Sequence, residues 1–319
     1  MAKVWVLAEI HNGKVDSTAL EMLTKARDLP GAEVEAVALG PGSNDAVKEL
    51  GEFGASTVYA SDDEVYADYV AQPATEALYQ LVQEHSPELV LFAANYDSRD
   101  IAGRLSARTG STLMSNVSEI HDLGSAQHAM FGGTTLVDVK LEGSPKLVLV
   151  RPKSFEASPA GGEATVIPVE VSIGDELKKA RRLERHEEET TGPKLEEAPV
   201  VVSGGRGLQE AGNFKLLDEL ASTIGNTAVG ATRAVVDSGW VPYAMQIGQT
   251  GTTVKPSVYL AFGISGATQH MVGMKGAKKI VAINKDEEAP IFQIADLGIV
   301  GDALKILPQL IEEVKSRKG

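Results

Sequence analysis

The sequence contains no cysteine. That absence removes disulfides, thiolate zinc sites, cysteine-ligated iron–sulfur clusters and cysteine nucleophiles. Any redox chemistry has to come from a bound cofactor. Aromatic residues are scarce, at 5%. Long apolar runs are missing too. The opening MAKVWVLAEI is interrupted by Glu9 and does not read as a signal peptide. Nothing approaches the ~20 apolar residues of a membrane span. A cytoplasmic protein of bacterial or archaeal type is expected, with no targeting segment and no direct membrane insertion. Positive charge is in deficit, with 30 Lys/Arg against 44 Asp/Glu and a net charge of −14, which argues against a nucleic-acid partner. The six histidines show no metal-ligand spacing. There is no GxGxxG and no Lys-Ser/Thr pair after a glycine loop, which disfavours a plain dinucleotide dehydrogenase and an NTPase. No period of 20–50 residues marks a solenoid.

At about 150 residues per domain, a chain of 319 suggests two domains. Thirty-two glycines and 43% hydrophobic residues fit α/β layers with tight strand-to-helix turns. KVWVLAEI (3–10), VEAVALG (34–40), TVYAS (57–61) and ELVLFAAN (88–95) read as strands. Helices are expected from Ser17 to about Asp28, over 44–52, over 66–84, and from a cap at Asp97 or Ser98. The strands are continuously apolar, which predicts a mainly parallel sheet covered on both faces. TTLVDVKLEGSPKLVLVRP (134–152) predicts a hairpin turning at Glu142–Pro145. The charged stretch 184–199 has a Gly-Pro and no apolar period, and reads as an interdomain linker. The division expected is an N-terminal α/β domain over 1–190, a linker over 191–199 and a second α/β domain over 200–319. In the second, PVVVSGGRG (199–207), the start of 227–239, SVYLAFGIS (257–265), KKIVAIN (278–284) and IFQIAD (291–296) are the expected strands. Helices are expected near 213–224, 267–274 and 302–315, the last interrupted or bent at Pro308. The acidity sits in the first part. Residues 1–199 hold 18 Lys/Arg and 33 Asp/Glu, whereas residues 200–319 hold 12 and 11.

Four loops of the second domain end apolar strands: SGGRG (203–207), ATR (231–233), GQTG (248–251) and GISGATQH (263–270). Ligands of open α/β sheets bind outside the carboxyl ends of strands. Glycines let backbone N–H groups approach a phosphate, and Arg206 adds a fixed cation. Each loop alone is ordinary turn chemistry. Four within about 120 residues suggest one long ligand of dinucleotide size lying across the sheet edge. For His270, spacing alone favours a helix histidine bonded to a nearby carbonyl. Asp286, Glu287 and Glu288 read as a turn between strands. GISGA does not keep the spacing of a nucleophile elbow.

The runs VVVSGGRGL, NFKLLDELA, AVGATRAVVDSGW, QIGQTG, YLAFGISGATQHMVGM and IVAINKDEEAPIFQIADLGIVGD resemble the α subunit of the electron-transfer flavoproteins, in order across residues 200–319. The N-terminal segment resembles it more loosely, through RDIAGRLSARTG. The resemblance implies a heterodimer with a β subunit and one FAD on a Rossmann-like C-terminal domain, with AMP or a second FAD in β. The N-terminal domain shows no phosphate loop, and is expected to be a scaffold that docks the β subunit without a ligand of its own. The resemblance also implies an electron carrier rather than an enzyme. Such a carrier takes electrons from flavin dehydrogenases, such as the acyl-CoA dehydrogenases of fatty acid β-oxidation, and delivers them to a membrane quinone oxidoreductase. Two alternatives stand beside it: a bifurcating, NADH-oxidising member, and a non-redox nucleotide-binding regulatory module.

Carried over by position, the resemblance assigns the adenosine–pyrophosphate part to Arg206. It assigns cofactor contact to Thr232 and Arg233, with Arg233 near the isoalloxazine. Ile247, Gly248, Gln249 and Thr250 would wrap the flavin, with the Thr250 hydroxyl near N5. Ser265, Gly266, Ala267, Thr268, Gln269 and His270 would hold the pyrophosphate and ribityl region, with His270 reaching the C2 carbonyl and N1. Asn284 and Asp302 would meet the adenosine end, beside Ala303. Thr232 stands where many members have Ser, and Ala303 where many have Leu. Arg233, Thr250 and His270 form the set expected to tune the flavin, because donors and cations aimed at N1 and C2 stabilise the negative charge that reduction places there.

Overall fold

The computed structural model describes residues 1–11, 13–130, 135–184 and 192–318. Residues 185–191 of the expected linker and residue 134 of the expected hairpin lie outside them. The chain divides into two compact units, Met1–Arg185 and His186–Gly319.

The first unit runs β1 (Ala2–Ala8), β2 (Ile10–His11), β3 (Lys14–Val15), α1 (Ser17–Arg27), β4 (Ala32–Leu39), α2 (Ser43–Glu52), β5 (Thr57–Ser61), α3 (Val65–Asp68), α4 (Gln72–His85), β6 (Leu89–Ala93), α5 (Tyr96–Thr109), β7 (Leu113–Asp122), β8 (Ser125–Met130), β9 (Thr135–Lys140), β10 (Lys146–Val150) and β11 (Thr165–Pro168). Nine strands form one sheet in the order β11-β5-β4-β1-β6-β10-β7-β8-β9. It is parallel from β11 to β7 and antiparallel only through β8 and β9. The unbroken apolar run of β1 is explained by its two faces. Val4, Val6 and Ala8 enter one core with Met22 and Leu23 of α1. Trp5 and Leu7 enter the opposite core with Leu78 of α4 and Leu105 of α5.

Three local expectations are corrected here. Residues 135–150 do not form a hairpin. β10 inserts between β6 and β7, parallel to both, because four of its five residues are buried and need neighbours on every side. β9, which carries Thr135, Asp138 and Lys140 and is largely exposed, goes to the sheet edge. The helix expected over 66–84 is split into α3 and α4, and α4 restarts with Pro73 in its first turn, where the missing N–H costs nothing. α5 is capped by Asn95, whose side chain accepts from Ser98 N, and not by Asp97 or Ser98.

The second unit runs β12 (Val200–Gly204), α6 (Lys215–Ile224), β13 (Thr227–Ala231), α7 (Arg233–Asp237), β14 (Val258–Phe262), α8 (Thr268–Met274), β15 (Ile280–Asn284), β16 (Leu297–Val300) and α9 (Ala303–Lys318). Its five strands are all parallel, in the order β13-β12-β14-β15-β16. Numbered within the unit this is 2-1-3-4-5, a doubly wound sheet. Alternate residues again feed two cores. Val201, Tyr259 and Ala282 face Met274 of α8, and Val202, Phe262 and Ile283 face Leu217 and Leu220 of α6 and Leu307 and Ile311 of α9. Each fully buried Leu or Ile contributes about 1.5–3 kcal/mol of transfer free energy. IFQIAD is not a strand. Pro290–Gln293 forms a 3-10 turn and the strand is the following LGIV, exposed at all four positions on the sheet edge. α9 continues unbroken through Pro308.

Candidate functional site

The chain passes from β12 outward to β13, then crosses back to β14 on the other side of β12. The carboxyl ends of β12 and β14 therefore diverge into a crevice, the place where such sheets bind ligands. The two glycine loops that leave these strands meet there backbone to backbone. Gly205 N donates to Phe262 O at 3.0 Å and Gly207 N to Gly263 O at 3.0 Å. A Cβ on Gly207 would lie 2.5 Å from Gly263 Cα, and one on Gly263, at φ +63°, would lie 2.6 Å from Gly207 Cα. Only glycine fits either position. Arg206 stands out of this seam, exposed and without an ion-pair partner among the described residues.

The neighbouring loops are tied to the seam through main-chain bonds. Thr232 N donates to Gly204 O at 3.1 Å, and Ile247 N to Ala231 O at 2.9 Å. Gln249 N donates to Gln269 O at 2.7 Å, and a Cβ on Gly273 would lie 2.5 Å from Gly248 N, so the loop 247–250 rests directly on α8. Gln246 Nε2 donates to Thr250 Oγ1 at 3.0 Å, leaving the threonine proton to be donated elsewhere. The Tyr243 hydroxyl donates to the Thr250 carbonyl. Ser265 O accepts from Ile291 N at 3.0 Å. Asn284 Nδ2 donates to Ile264 O at 2.8 Å. Asp302 accepts from Leu304 N at 3.0 Å and pairs with Lys285 Nζ at 3.2 Å, so it caps α9 and is partly neutralised. Arg233 is exposed and bonds its Nε to Asp237 Oδ2 at 3.1 Å.

His270 departs from expectation. It is only 5% exposed, and both ring nitrogens are engaged inside the unit. Nδ1 meets the Ile247 carbonyl at 3.0 Å and Nε2 meets the Tyr259 hydroxyl at 2.9 Å. Burial pushes its pKa down to about 4, against a smaller upward pull from the Ile247 carbonyl, so the ring is neutral at pH 7. Both nitrogens being used, it does not present a free N–H to the crevice. Tyr259 is wholly buried, and burial pushes its pKa upward.

Against known proteins, a family model described as "Electron transfer flavoprotein FAD-binding domain" matches residues 194–275, and one described as "Electron transfer flavoprotein domain" matches residues 4–173. The "Electron transfer flavoprotein subunit alpha" of Mycobacterium tuberculosis (strain CDC 1551 / Oshkosh) is 44% identical over 100% of both chains. The chain belongs to the electron transfer flavoprotein α-subunit family. The protein of the same name from Mycobacterium leprae (strain TN) is 42% identical over 100% of both chains, and "Protein FixB" of Clostridium saccharobutylicum is 38% identical over 98% of this chain and 96% of its own.

Members of this family were the expectation behind the sixteen site residues, and all sixteen lie at the carboxyl edge of the second sheet or in the turns beneath it. Arg206, Arg233, Gln249, Thr250, Ser265, Ala267, Thr268 and Gln269 are exposed on the rim. Thr232, Asn284 and Asp302 are half-buried beside it. Ile247, Gly248, Gly266 and His270 form the buried floor. Ala303, 3% exposed, packs into the core with Leu307, so only its backbone faces outward chemistry. Asn284, Asp302 and Ala303 fall outside the span of the FAD-binding family model. Gln246, Tyr243 and Tyr259 were missed. Tyr259 carried one readable signal: a hydroxyl in a strand otherwise apolar must find a buried partner. A cavity of about 330 Å³ lies elsewhere, between Asp218, Ser222 and Thr227 at the amino end of β13.

These residues suit an FAD. The glycine seam joins the two loops more closely than any Cβ would allow, its Arg206 is free to meet a pyrophosphate, and the Thr250 proton is free to meet a ring acceptor. Among the described residues no group of three or more metal-ligating side chains gathers, and no helix is long and apolar enough to cross a membrane.

Proposed function

We propose that the second unit binds one FAD along the carboxyl edge of β13, β12, β14 and β15. In this reading the chain is the α subunit of a heterodimer whose β subunit docks on the first unit and completes the flavin pocket. The proposed boundaries are 1–190 for the docking domain, 191–199 for the linker and 200–319 for the FAD domain. The assembly carries electrons, in the cytoplasm, from flavin dehydrogenases such as acyl-CoA dehydrogenases to a membrane quinone oxidoreductase.

The backbone seam of Gly205, Gly207 and Gly263 supports this reading, because it closes the two glycine loops on each other and sets the exposed Arg206 guanidinium at the mouth of the crevice. FAD, when bound, supplies the electron chemistry that a cysteine-free chain lacks. Arg206 would meet the pyrophosphate. Thr250 would donate its hydroxyl proton to the ring, steadied by Gln246. Arg233 would set a permanent positive charge beside the ring, moderated by Asp237. His270 would act through the loop it holds, since its nitrogens are already bonded to Ile247 and Tyr259.

The test is a visible spectrum of the chain purified with its co-expressed β subunit, taken during stepwise dithionite reduction. A yellow complex that takes up its electrons one at a time supports the carrier. Prompt bleaching by NADH moves the weight to a bifurcating member with a second FAD in β. A colourless complex that does not take up FAD leaves a nucleotide-binding module.

A further inference from the structure

Tyr259, Ser203, His270 and Ile247 form a buried polar line under the crevice, from four different chain segments. Ser203, at the end of β12, is fully buried, and its hydroxyl lies beside that of Tyr259 without completing a well-formed hydrogen bond. Tyr259, in the middle of β14, meets His270 Nε2 at 2.9 Å. His270, in the first turn of α8, meets the Ile247 carbonyl at 3.0 Å. The Ile247 carbonyl has no proton to give, so Nδ1 must carry one. A charged imidazolium in this apolar pocket is strongly disfavoured, so Nε2 holds a lone pair and Tyr259 is the donor to it.

We propose that Tyr259 is a positioning residue of the site: its hydroxyl donates to Nε2 and locks the neutral His270 ring in the one orientation whose Nδ1–H clamps the Ile247 carbonyl and with it the loop 247–250. Main-chain bonds from Ile247 N to Ala231 O and from Gln249 N to Gln269 O also hold this loop, and the His270 ring is the side chain that ties its first carbonyl. Ile247 and Gly248 are buried on α8, but Gln249 and Thr250 stand on the rim. If Nε2 lost its donor, its lone pair would be left unpaired in a buried pocket, and the ring would recover a partner only by turning out of its place. That turn takes the Nδ1–H off the Ile247 carbonyl and leaves the loop held by its main-chain bonds alone. The consequence for the cofactor rests on the reading of the rim as an FAD site. The tautomer itself is a property of the chain with or without FAD.

The experiment is a long-range ¹H–¹⁵N spectrum of histidine rings in the full chain, with His270 assigned through His270→Gln. In wild type at pH 7, with no FAD added, His270 should show a protonated Nδ1 and an unprotonated, hydrogen-bonded Nε2. In Tyr259→Phe the Nε2 shift should move to that of a nitrogen with no hydrogen-bond donor, and the Nδ1–H should lose the signature of its bond to the Ile247 carbonyl. The FAD-loaded Tyr259→Phe complex should keep its FAD content while its flavin potential shifts, a change that a purely packing role for the tyrosine would not produce. An Nε2–H tautomer or an imidazolium in wild type overturns the proposal, and that reading stands even if Tyr259→Phe does not fold. Unchanged shifts in Tyr259→Phe overturn it as well. A chain that shows the expected tautomer but never takes up FAD would sink the FAD reading and leave the lock intact.

Discussion

The Tyr259 hydroxyl and His270 Nε2 lie 2.9 Å apart with their ring planes tilted by 58°, and together they join the middle of a strand to the start of a helix. The sheet below supplies rigidity and the helix above supplies position. The loop that rests on the helix inherits both. With both ring nitrogens of His270 paired, this buried contact specifies one arrangement of the ring, because turning it leaves a polar atom unpaired in a low-dielectric interior.

The pH dependence of stability follows from the same pair. The ring binds a proton near pH 4 when folded and near 6.5 when unfolded. Below pH 6.5 the unfolded chain therefore takes up the proton first. This site costs stability as pH falls through that window, about 1.4 kcal/mol per pH unit, and adds no slope above it. Urea midpoints of wild type and His270→Gln, compared at several pH values, should differ most near neutrality and converge toward pH 4. A gap independent of pH would count against a neutral buried ring.

Two alanine substitutions separate backbone strain from backbone contact. Gly239 has φ +72° and open space around its would-be Cβ, whereas Gly263 has φ +63° and Gly207 Cα at 2.6 Å. Gly239→Ala should cost about 1–2 kcal/mol, the left-handed penalty alone. Gly263→Ala should cost more than that and should also reduce FAD content, because the seam must part. Thermal melts with and without FAD decide it, and equal costs would show that the seam is not tight.

Arg206 offers a cleaner separation of binding from folding. It is exposed and pairs with nothing among the described residues, so its removal should leave the melting temperature of the FAD-free chain unchanged. A charge-assisted contact to a phosphate is worth about 1.5–3 kcal/mol, so Arg206→Ala should weaken FAD binding by roughly ten- to a hundredfold. Fluorescence titration at two salt concentrations reads both the loss and a reduced salt dependence. Wild-type affinity in Arg206→Ala would move the pyrophosphate away from this loop.

The sequence conveyed the strongly periodic parts well, and the reasons are local. β6 is apolar throughout and β1 is apolar from Val4 to Ala8, and only a strand with two covered faces needs that. The glycine loops 203–207 and 263–270 were legible as loops because clustered glycines end an apolar run at each. What was not legible depended on partners distant in sequence. β10 reads as the second arm of a hairpin until β6 and β7 claim its two edges. β16 has the composition of a buried strand yet lies exposed at the edge. His270 illustrates both outcomes. Spacing favoured a carbonyl-bonded helix histidine, and the Ile247 bond bears that out. The expectation of a direct donor to the flavin came from resemblance, and Tyr259 at 2.9 Å occupies the nitrogen it needed.

Arg233 and Asp237 should move the flavin potential in opposite directions. Their bond at 3.1 Å joins two exposed groups, so the pair adds little to stability. Its interest lies in net charge beside the ring. Arg233→Ala removes a cation and should lower the potential, by disfavouring the extra negative charge of reduction. Asp237→Asn removes the opposing anion and should raise it. Spectroelectrochemical titration of both variants, with FAD content measured alongside, distinguishes tuning from simple loss of cofactor. Shifts of the same sign in both would place the ring beyond their reach.

The first unit has the doubly wound form associated with nucleotide sites, yet it fills its own crevice. Glu9 follows β1, and its carboxylate accepts from Asn95 Nδ2 at 2.7 Å and from the Ser98 hydroxyl, while Asn95 caps α5 through Ser98 N at 2.9 Å. Burial works to raise the Glu9 pKa, but the bonds from His11, Ser98 and Asn95 outweigh it and hold the carboxyl below its usual range. The donors at this helix start, which in a nucleotide-binding sheet would face a phosphate, are thus already spent on an internal anion. A titration of the FAD-saturated chain, without β subunit, with AMP should give no heat. Glu9→Ala should cost about 1.5–3 kcal/mol through the lost charge-assisted bonds. The depressed pKa makes this contribution complete above about pH 4.5 and lost as pH falls through the folded value. A crystal of the wild-type chain with a nucleotide against Asn95 and Ser98 would show that the carboxylate yields to a phosphate, and the docking role assigned to this unit would then need a ligand as well.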